Sequence, residues 1–354
     1  TKAAKNVVIN ENTQFINNIG KYEGNNFEKG IAIHLESGIT NPIQIDQVIF
    51  TNCGTTGRVI VSIASPFDFW NSIIQFTDYN RAAMGIYIKN QANVSIINCT
   101  IVNCSAGNAL GSGIVYNKEL ANDGKPHTFR LINTILDNNF AKNARSLNAF
   151  FRYQPEISGV TVRNHRDGHY VFRIYTPYEY RDEIILEQCV FECNTLGAKD
   201  GADRGGCGIY IANDPDYKGP EQAVGFPVVF KDCEFNNNTA LNGHGGAIAY
   251  SVSDDRLNLT TLIFDNCRFA FNKASTFGGA LALNTISPIT IVGCTFSYNS
   301  VERDLDSNAN AIYLSTRAIA TISETRFINN GLNGSAIYFN GLSLEMEDAT
   351  IQFD

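Results

Sequence analysis

Residues 264–283, FDNCRFAFNKASTFGGALAL, place a cysteine, a phenylalanine, an asparagine and a Gly-Gly-Ala in that order. The order returns at 230–250, FKDCEFNNNTALNGHGGAIAY, and its first half at 291–299, IVGCTFSYN, and at 186–194, LEQCVFECN. A phrase that recurs with gaps of variable length is the signature of a repeat architecture, in which neighbouring units bury one another's apolar faces.

Anchoring on the phenylalanine slot gives twelve repeats: Phe15, Phe50, Phe76, Ile101, Ile135, Val162, Phe191, Phe235, Phe269, Phe296, Phe327 and Ile351. The shortest gap, 24 residues from Phe327 to Ile351, is what three short strands and their turns require. Longer gaps are insertions at turns, rich in Asn, Asp, Gly, Lys and Pro, as at 117–128 and 212–226. Apolar residues alternate around each anchor, so that Cys267 and Phe269 share one face. GGAIAY, GGALAL, GSAIYF, GIAIHL and GIYIKN read as a further short strand per repeat, and no sustained helical period occurs.

These features predict an all-β chain: one right-handed parallel β-helix over residues 1–354, of about 11 to 12 coils. A propeller blade of about 40 residues does not fit the shorter spacings. Coils stacked about 4.8 Å apart turn equivalent residues into ladders. Phe191, Phe235, Phe269, Phe296 and Phe327 form one. Asn194, Asn238, Asn272, Asn299 and Asn330 form a second at a turn, where asparagine tolerates left-handed backbone and its amide bonds the coils above and below.

The repeat resembles that of the polymorphic outer membrane proteins of chlamydiae and their relatives, including similar protist surface proteins. Phe-x-x-Asn occurs at 15–18, 191–194, 235–238, 269–272, 296–299 and 327–330, and Gly-Gly-Ala-Ile/Leu at 245–248 and 278–281. The resemblance is strongest over 184–339. It implies a surface-exposed, often adhesive region with no cofactor.

The net charge of −8 speaks against a nucleic-acid partner, which rewards a basic face. No run of about 18 apolar residues exists to span a membrane as a helix. The opening TKAAKNVVINENTQF holds no apolar leader and begins inside a repeat. At the other end LSLEMEDATIQFD starts a twelfth coil and reaches Asp354 in the asparagine slot. An uncovered coil end is an open strand edge, so the expectation is a piece of a longer chain, or self-association through that end.

Nine cysteines cannot all pair within the chain. Cys99, Cys189, Cys233, Cys267 and Cys294 share one slot, and stacked side chains have poor disulfide geometry. No Cys-x-x-Cys zinc spacing occurs. They read as buried thiols packing as small hydrophobes. Cys53, Cys104, Cys193 and Cys207 occupy other slots.

No catalytic set emerges, and the expectation is not an enzyme. The Gly-His-Gly at 243–245 matches one element of a polygalacturonase pattern without the others, and Asp203, Asp214, Asp216, Asp254, Asp255, Asp304 and Asp306 fall in loops. His165-Arg166-Asp167 lacks the companions of a kinase catalytic loop.

Residues 140–181 depart from the acidic background. Lys142, Arg145, Arg152, Arg163, Arg166, Arg173 and Arg181 face only Glu156, Asp167 and Glu179, with Tyr153, Tyr170, Tyr175, Tyr178 and Tyr180 among them. With Phe151 and Phe172 inward, Arg152 and Arg173 point out on adjacent coils. Arginine forks beside aromatic rings suit carboxylate or sulfate groups and sugar rings. Arg152, Arg173, Tyr153, Tyr175 and His169 are therefore the candidate ligand-binding residues for a cell-surface glycan, protein receptor or anionic surface. Asn93, Asn98, Asn103, Asn237, Asn258 and Asn333 begin glycosylation sequons.

The function expected is an extracellular or cell-surface adhesin without cofactor or metal. A structural module of a stacked filament or coat comes second, and a polysaccharide-active enzyme third.

Overall fold

A computed structural model describes residues 8–10, 13–17, 30–35, 39, 41–53, 58–77, 84–90, 92–105, 112–119, 126–139, 146–166, 171–177, 180, 182–196, 209–213, 226–241, 243–251, 261–302, 309–331 and 335–352. The chain divides into two compact units, Thr1–Gly168 and His169–Asp354.

One coil of the second unit shows how the sequence bends. In Thr261–Asp265, Leu262 and Phe264 point in and are buried, while Thr261, Ile263 and Asp265 point out. Asn266 turns the corner at φ 51°, and the small Cys267 follows inside. Arg268–Ala270 buries Phe269, Phe271 turns a second corner at φ 57°, and Lys273–Ala274 leads toward the strand Leu281–Thr285. Each strand pairs in parallel with its counterpart one coil away, for example Phe235 with Phe269 and Phe269 with Phe296. Val190–Glu192, Glu234–Asn236, Arg268–Ala270, Thr295–Ser297, Arg326–Ile328 and Thr350–Gln352 thus form one six-rung face.

The first unit follows the same plan. Gln14–Ile16, Ile49–Thr51, Ile73–Gln75, Thr100–Val102, Ile135–Asp137 and Thr161–Arg163 form the equivalent face, all in parallel register. Each unit is a parallel β-helix of six rungs.

The expected phenylalanine ladder is present in the second unit. Successive rings from Phe191 through Phe235, Phe269 and Phe296 to Phe327 stack at 5.1, 4.8, 4.6 and 5.1 Å. Two anchors in the first unit are corrected. Phe50 pairs with Ile74, not Phe76, and Ile101 pairs with Leu136, not Ile135. Phe76 is also buried, two residues further on, whereas Ile135 faces out beside the fully buried Leu136.

The asparagine ladder is a closed hydrogen-bond system. Asn272 donates from Nδ2 to Asn299 Oδ1 at 3.0 Å and to Phe235 O at 2.8 Å. Its Oδ1 accepts the backbone N–H and the side-chain amide of Asn238 at 3.2 and 2.9 Å. Asn238, Asn299 and Asn330 repeat the pattern. The backbone reason expected for asparagine there is displaced by one residue. The left-handed positions are Cys193, Asn237, Phe271, Tyr298 and Asn329, each just before a ladder asparagine. The ladder residues are chosen for their amides, because a buried amide must be satisfied and a stacked copy of itself satisfies it.

The Gly-Gly-Ala motif has two separate causes. Gly245 and Gly278 sit at φ 59° and 58°, where a Cβ would strike the carbonyls of Ile248 and Leu281. Gly246 and Gly279 instead press on the next coil, where a Cβ would meet Gly279 O and Asn310 O.

In the first unit the ladder slot is held by Cys104, Asn139 and His165, all buried. Asn139 Oδ1 accepts from the Cys104 N–H at 2.9 Å and its Nδ2 donates to Ile101 O. The His165 ring lies 2.5 Å from Asn139 O through Nδ1 and 2.9 Å from Ser146 Oγ through Nε2. Burial lowers its pKa, outweighing the carbonyls of Asn139 and Leu136 and the charge of Asp137.

Two outcomes follow from these interior columns. Asn272→Ala strands Phe235 O and the backbone N–H of Asn238, takes one partner each from Asn238 Nδ2 and Asn299 Oδ1, and lowers stability in urea unfolding by about 3 kcal/mol; a loss near zero would show that the ladder is not what holds the turn. For His165, the unfolded ring takes up a proton near its ordinary pKa of about 6.5, before the buried ring does. Stability from this residue is therefore undiminished above that pH and is lost as pH falls below it. His165→Asn, which copies Asn139, flattens the fall in thermal midpoint between neutral and mildly acidic pH; equal slopes in the two proteins would refute the assignment.

Candidate functional site

Alternation along the strands decides which side chains reach solvent. In Phe172–Thr176, Phe172 and Ile174 are buried, and Arg173 and Tyr175 share the outer side. The Arg173 guanidinium lies 4.2 Å from the Tyr175 ring centroid. In the first unit Phe151 is buried as expected, Arg152 is half-buried 5.9 Å from the Phe150 ring, and Tyr153 is exposed. Arg152 and Tyr153 thus belong to one unit, and Arg173 and Tyr175 to the other. His169 lies outside the described residues, as do Lys142, Arg145, Tyr170, Tyr178 and Arg181.

The basic stretch is thinner than its composition implied. Arg163 is taken up by Asp137, Nε to Oδ2 at 2.9 Å. Tyr180 is buried, with its ring edge-on to Phe226 at 5.2 Å. Arg166 is exposed.

A pair that sequence reading missed sits on the first unit. Arg58 and Tyr87 come from the neighbouring strands Arg58–Ser62 and Met84–Asn90, and the guanidinium lies 3.8 Å from the ring centroid. Asn117 Nδ2 donates to the Tyr87 hydroxyl at 3.3 Å. The segment RVIVS lacks the Gly or Ala lead that marked the other strands of its face, so Arg58 was not placed beside the tyrosine. In such pairs the ring covers one face of the guanidinium and limits its rotation, and here Nε and Nη1 of Arg58 and Nε of Arg173 are shielded from solvent.

The cysteine column is a run of buried thiols. Cys233, Cys267 and Cys294 donate to Leu186 O, Phe230 O and Phe264 O at 3.1, 3.2 and 3.5 Å, and Cys99 to Phe69 O at 3.1 Å. Ser72, Thr134 and Thr325 fill the same slot and donate to the carbonyl two residues earlier, a bond that Cys267 and Cys294 also make. Val48 and Val160 fill it without a donor, so the slot selects a small buried side chain, to which most occupants add a donor. Burial pushes the Cys99 thiol up to about 12 and raises Cys104 further. Cys193 is the exposed thiol among the described residues.

Of the sequon asparagines, Asn93, Asn98 and Asn237 are exposed and Asn103 is half-buried. Asn98 faces out beside buried Cys99. Asn258 and Asn333 lie outside the described residues, as do all the loop aspartates weighed as catalytic carboxylates. Among the described residues no cluster of metal-ligating side chains occurs, and no helix is long and apolar enough to cross a membrane.

Residues 202–352 match the family model for the right-handed β-helix region. With the parallel coil-on-coil pairing, this defines the fold as a right-handed parallel β-helix. Comparison with curated proteins and with solved structures gave no match.

Thiol labelling of the native protein checks the burial pattern. Cys193→Ser removes one fast-reacting thiol, whereas Cys267→Ser removes only a thiol seen after unfolding; equal rates for the two would contradict the buried column.

Proposed function

We propose that the chain is a surface-displayed β-helix whose work is binding rather than turnover: an extracellular or cell-surface protein that adheres to anionic glycans. The observation that carries this is Arg173 laid over Tyr175 on the outward side of its strand. Arg58 over Tyr87 repeats the device on the first unit. An arginine held against a ring has less freedom to lose on binding, and a guanidinium is the side chain best matched to sulfate or carboxylate. The resemblance of the Phe-x-x-Asn and Gly-Gly-Ala repeats to polymorphic outer membrane proteins supports surface display.

The alternative reading is a structural module of a stacked filament or coat, built on the same parallel coil-on-coil pairing.

Binding to immobilised heparin separates the two. Arg58→Ala, Arg152→Ala and Arg173→Ala together weaken retention about tenfold or more at moderate salt, and Arg173→Lys restores it only in part. Unchanged retention in the triple variant, combined with concentration-dependent growth in size on a sizing column, would replace adhesion by assembly.

A further inference from the structure

The outward slot beside the Gly-Gly-Ala turns changes character along the second unit. Ala249 pairs with Ala282, Ala282 with Tyr313, and Tyr313 with Tyr338. Two rungs that carry only a methyl group are followed by two that carry a full ring. The missing side chains leave a half-open groove of about 120 Å³. Ala249 and Ala282 lie at its floor, His244, Phe277 and Tyr313 wall it, and Asn284 stands at the exposed rim.

The wall is built rather than incidental. Rings of His244 and Phe277 lie 4.7 Å apart, Phe277 and Tyr313 again 4.7 Å, and Tyr313 and Tyr338 5.0 Å. His244 and Phe277 each immediately precede a left-handed glycine, Gly245 and Gly278, so the tight turn fixes where the rings stand. The histidine is also oriented. Thr276 Oγ1 donates to Gly243 O at 3.1 Å, so it receives the proton of His244 Nδ1 at 2.5 Å. In the neutral ring this leaves Nε2 as the acceptor nitrogen.

We infer that this groove binds one neutral pyranose ring. Its volume is well below the roughly 300–1,000 Å³ of pockets for drug-sized ligands, which restricts it to a single small ring. Aromatic walls and an alanine floor suit the C–H faces of a sugar, and Asn284 offers a donor and an acceptor to its hydroxyls. Among the described residues no Lys, Arg, Asp or Glu lines the groove, which suits an uncharged ligand. The inference rests on the reading of the chain as glycan-binding but uses residues separate from the arginine–tyrosine pairs. The Gly-His-Gly that matched a hydrolase fragment in sequence is here one wall of a binding groove, with no catalytic carboxylate needed.

The test is saturation-transfer NMR on the full chain with methyl glycosides of glucose, galactose, mannose and N-acetylglucosamine. At least one is expected to bind, and Phe277→Ala and Ala282→Leu each to weaken it about tenfold, the first by removing a ring contact and the second by filling the groove. Asn284→Ala, at an exposed position, supplies a variant whose folding is not at issue and is expected to weaken binding as well. Arg173→Ala leaves the pyranoside titration unchanged. Absence of any pyranoside binding tighter than about 10 mM would overturn the inference. Binding that survives both Phe277→Ala and Asn284→Ala, or stronger binding of indole than of every glycoside, would do the same. If heparin retention proves indifferent to the arginines while the pyranoside result holds, the adhesion site fails and the groove stands.

Discussion

A coil stacked in parallel on its own copy puts every inward side chain directly on its counterpart one rung away. That self-stacking is the constraint on which the rest of the molecule depends. An apolar slot satisfies it with shape alone, as Phe235 on Phe269 on Phe296 does at 4.8 and 4.6 Å. A polar slot satisfies it only if the group can bond to itself. Asparagine can, because one amide holds both a donor and an acceptor and hands one to each neighbour. An aspartate in the same column would place like charges about 4.8 Å apart in a dry interior. The Cys, Ser and Thr of the column at the other corner solve the problem differently, donating to backbone carbonyls, of the neighbouring coil or two residues earlier in their own.

Such repetition made the fold legible, since each constraint is written into the chain many times. It was clearest where the slot residue is distinctive: Phe and Asn in the second unit left no choice of register. In the first unit the slots are filled by Ile, Leu and Val, and two positions two residues apart, Ile74 and Phe76, are both buried. Residue type then misleads. The left-handed corners would have resolved one of the two slips, because the ladder residue lies two positions before them: Phe50 before Asn52, Ile101 before Asn103, Leu136 before Asn138. Phe76 fills that corner slot itself, so the aromatic residue stands two positions beyond the true ladder residue Ile74.

The surface was far less legible, and the reason is the same constraint reversed. An outward strand residue need not match its counterpart, so away from the corners there is little repeat to read. The register sets Arg58 opposite Met84 and Tyr87 opposite Val61, so the two meet through the reach of the arginine side chain, which no alternation pattern shows. The groove at Ala249 and Ala282 is made by side chains that are absent, and sequence shows two ordinary alanines in two ordinary strands.

Outward positions that the repeat would not choose are therefore the ones that report function. The second corner offers a measure. Asn17, Asn52, Asn103, Asn138, Asn164, Asn237 and Asn329 occupy it in the left-handed region, which asparagine accepts at little cost. Phe271 and Tyr298 occupy it too, at φ 57° and 53°, with 55% and 48% of their surface exposed. Left-handed backbone costs an ordinary L-residue about 1–2 kcal/mol. Stacking of the two rings, 5.0 Å apart and within 3° of parallel, returns about 0.5–1.5 kcal/mol for the pair. That stacking comes on top of what the rings gain where they are covered, so the corner tolerates them although asparagine would occupy it at less backbone cost. Backbone preference thus accounts for the seven asparagines and not for the two aromatics. The same test separates Ala282, which leaves a gap where Tyr313 follows, from Cys267, which fills a slot as its neighbours do.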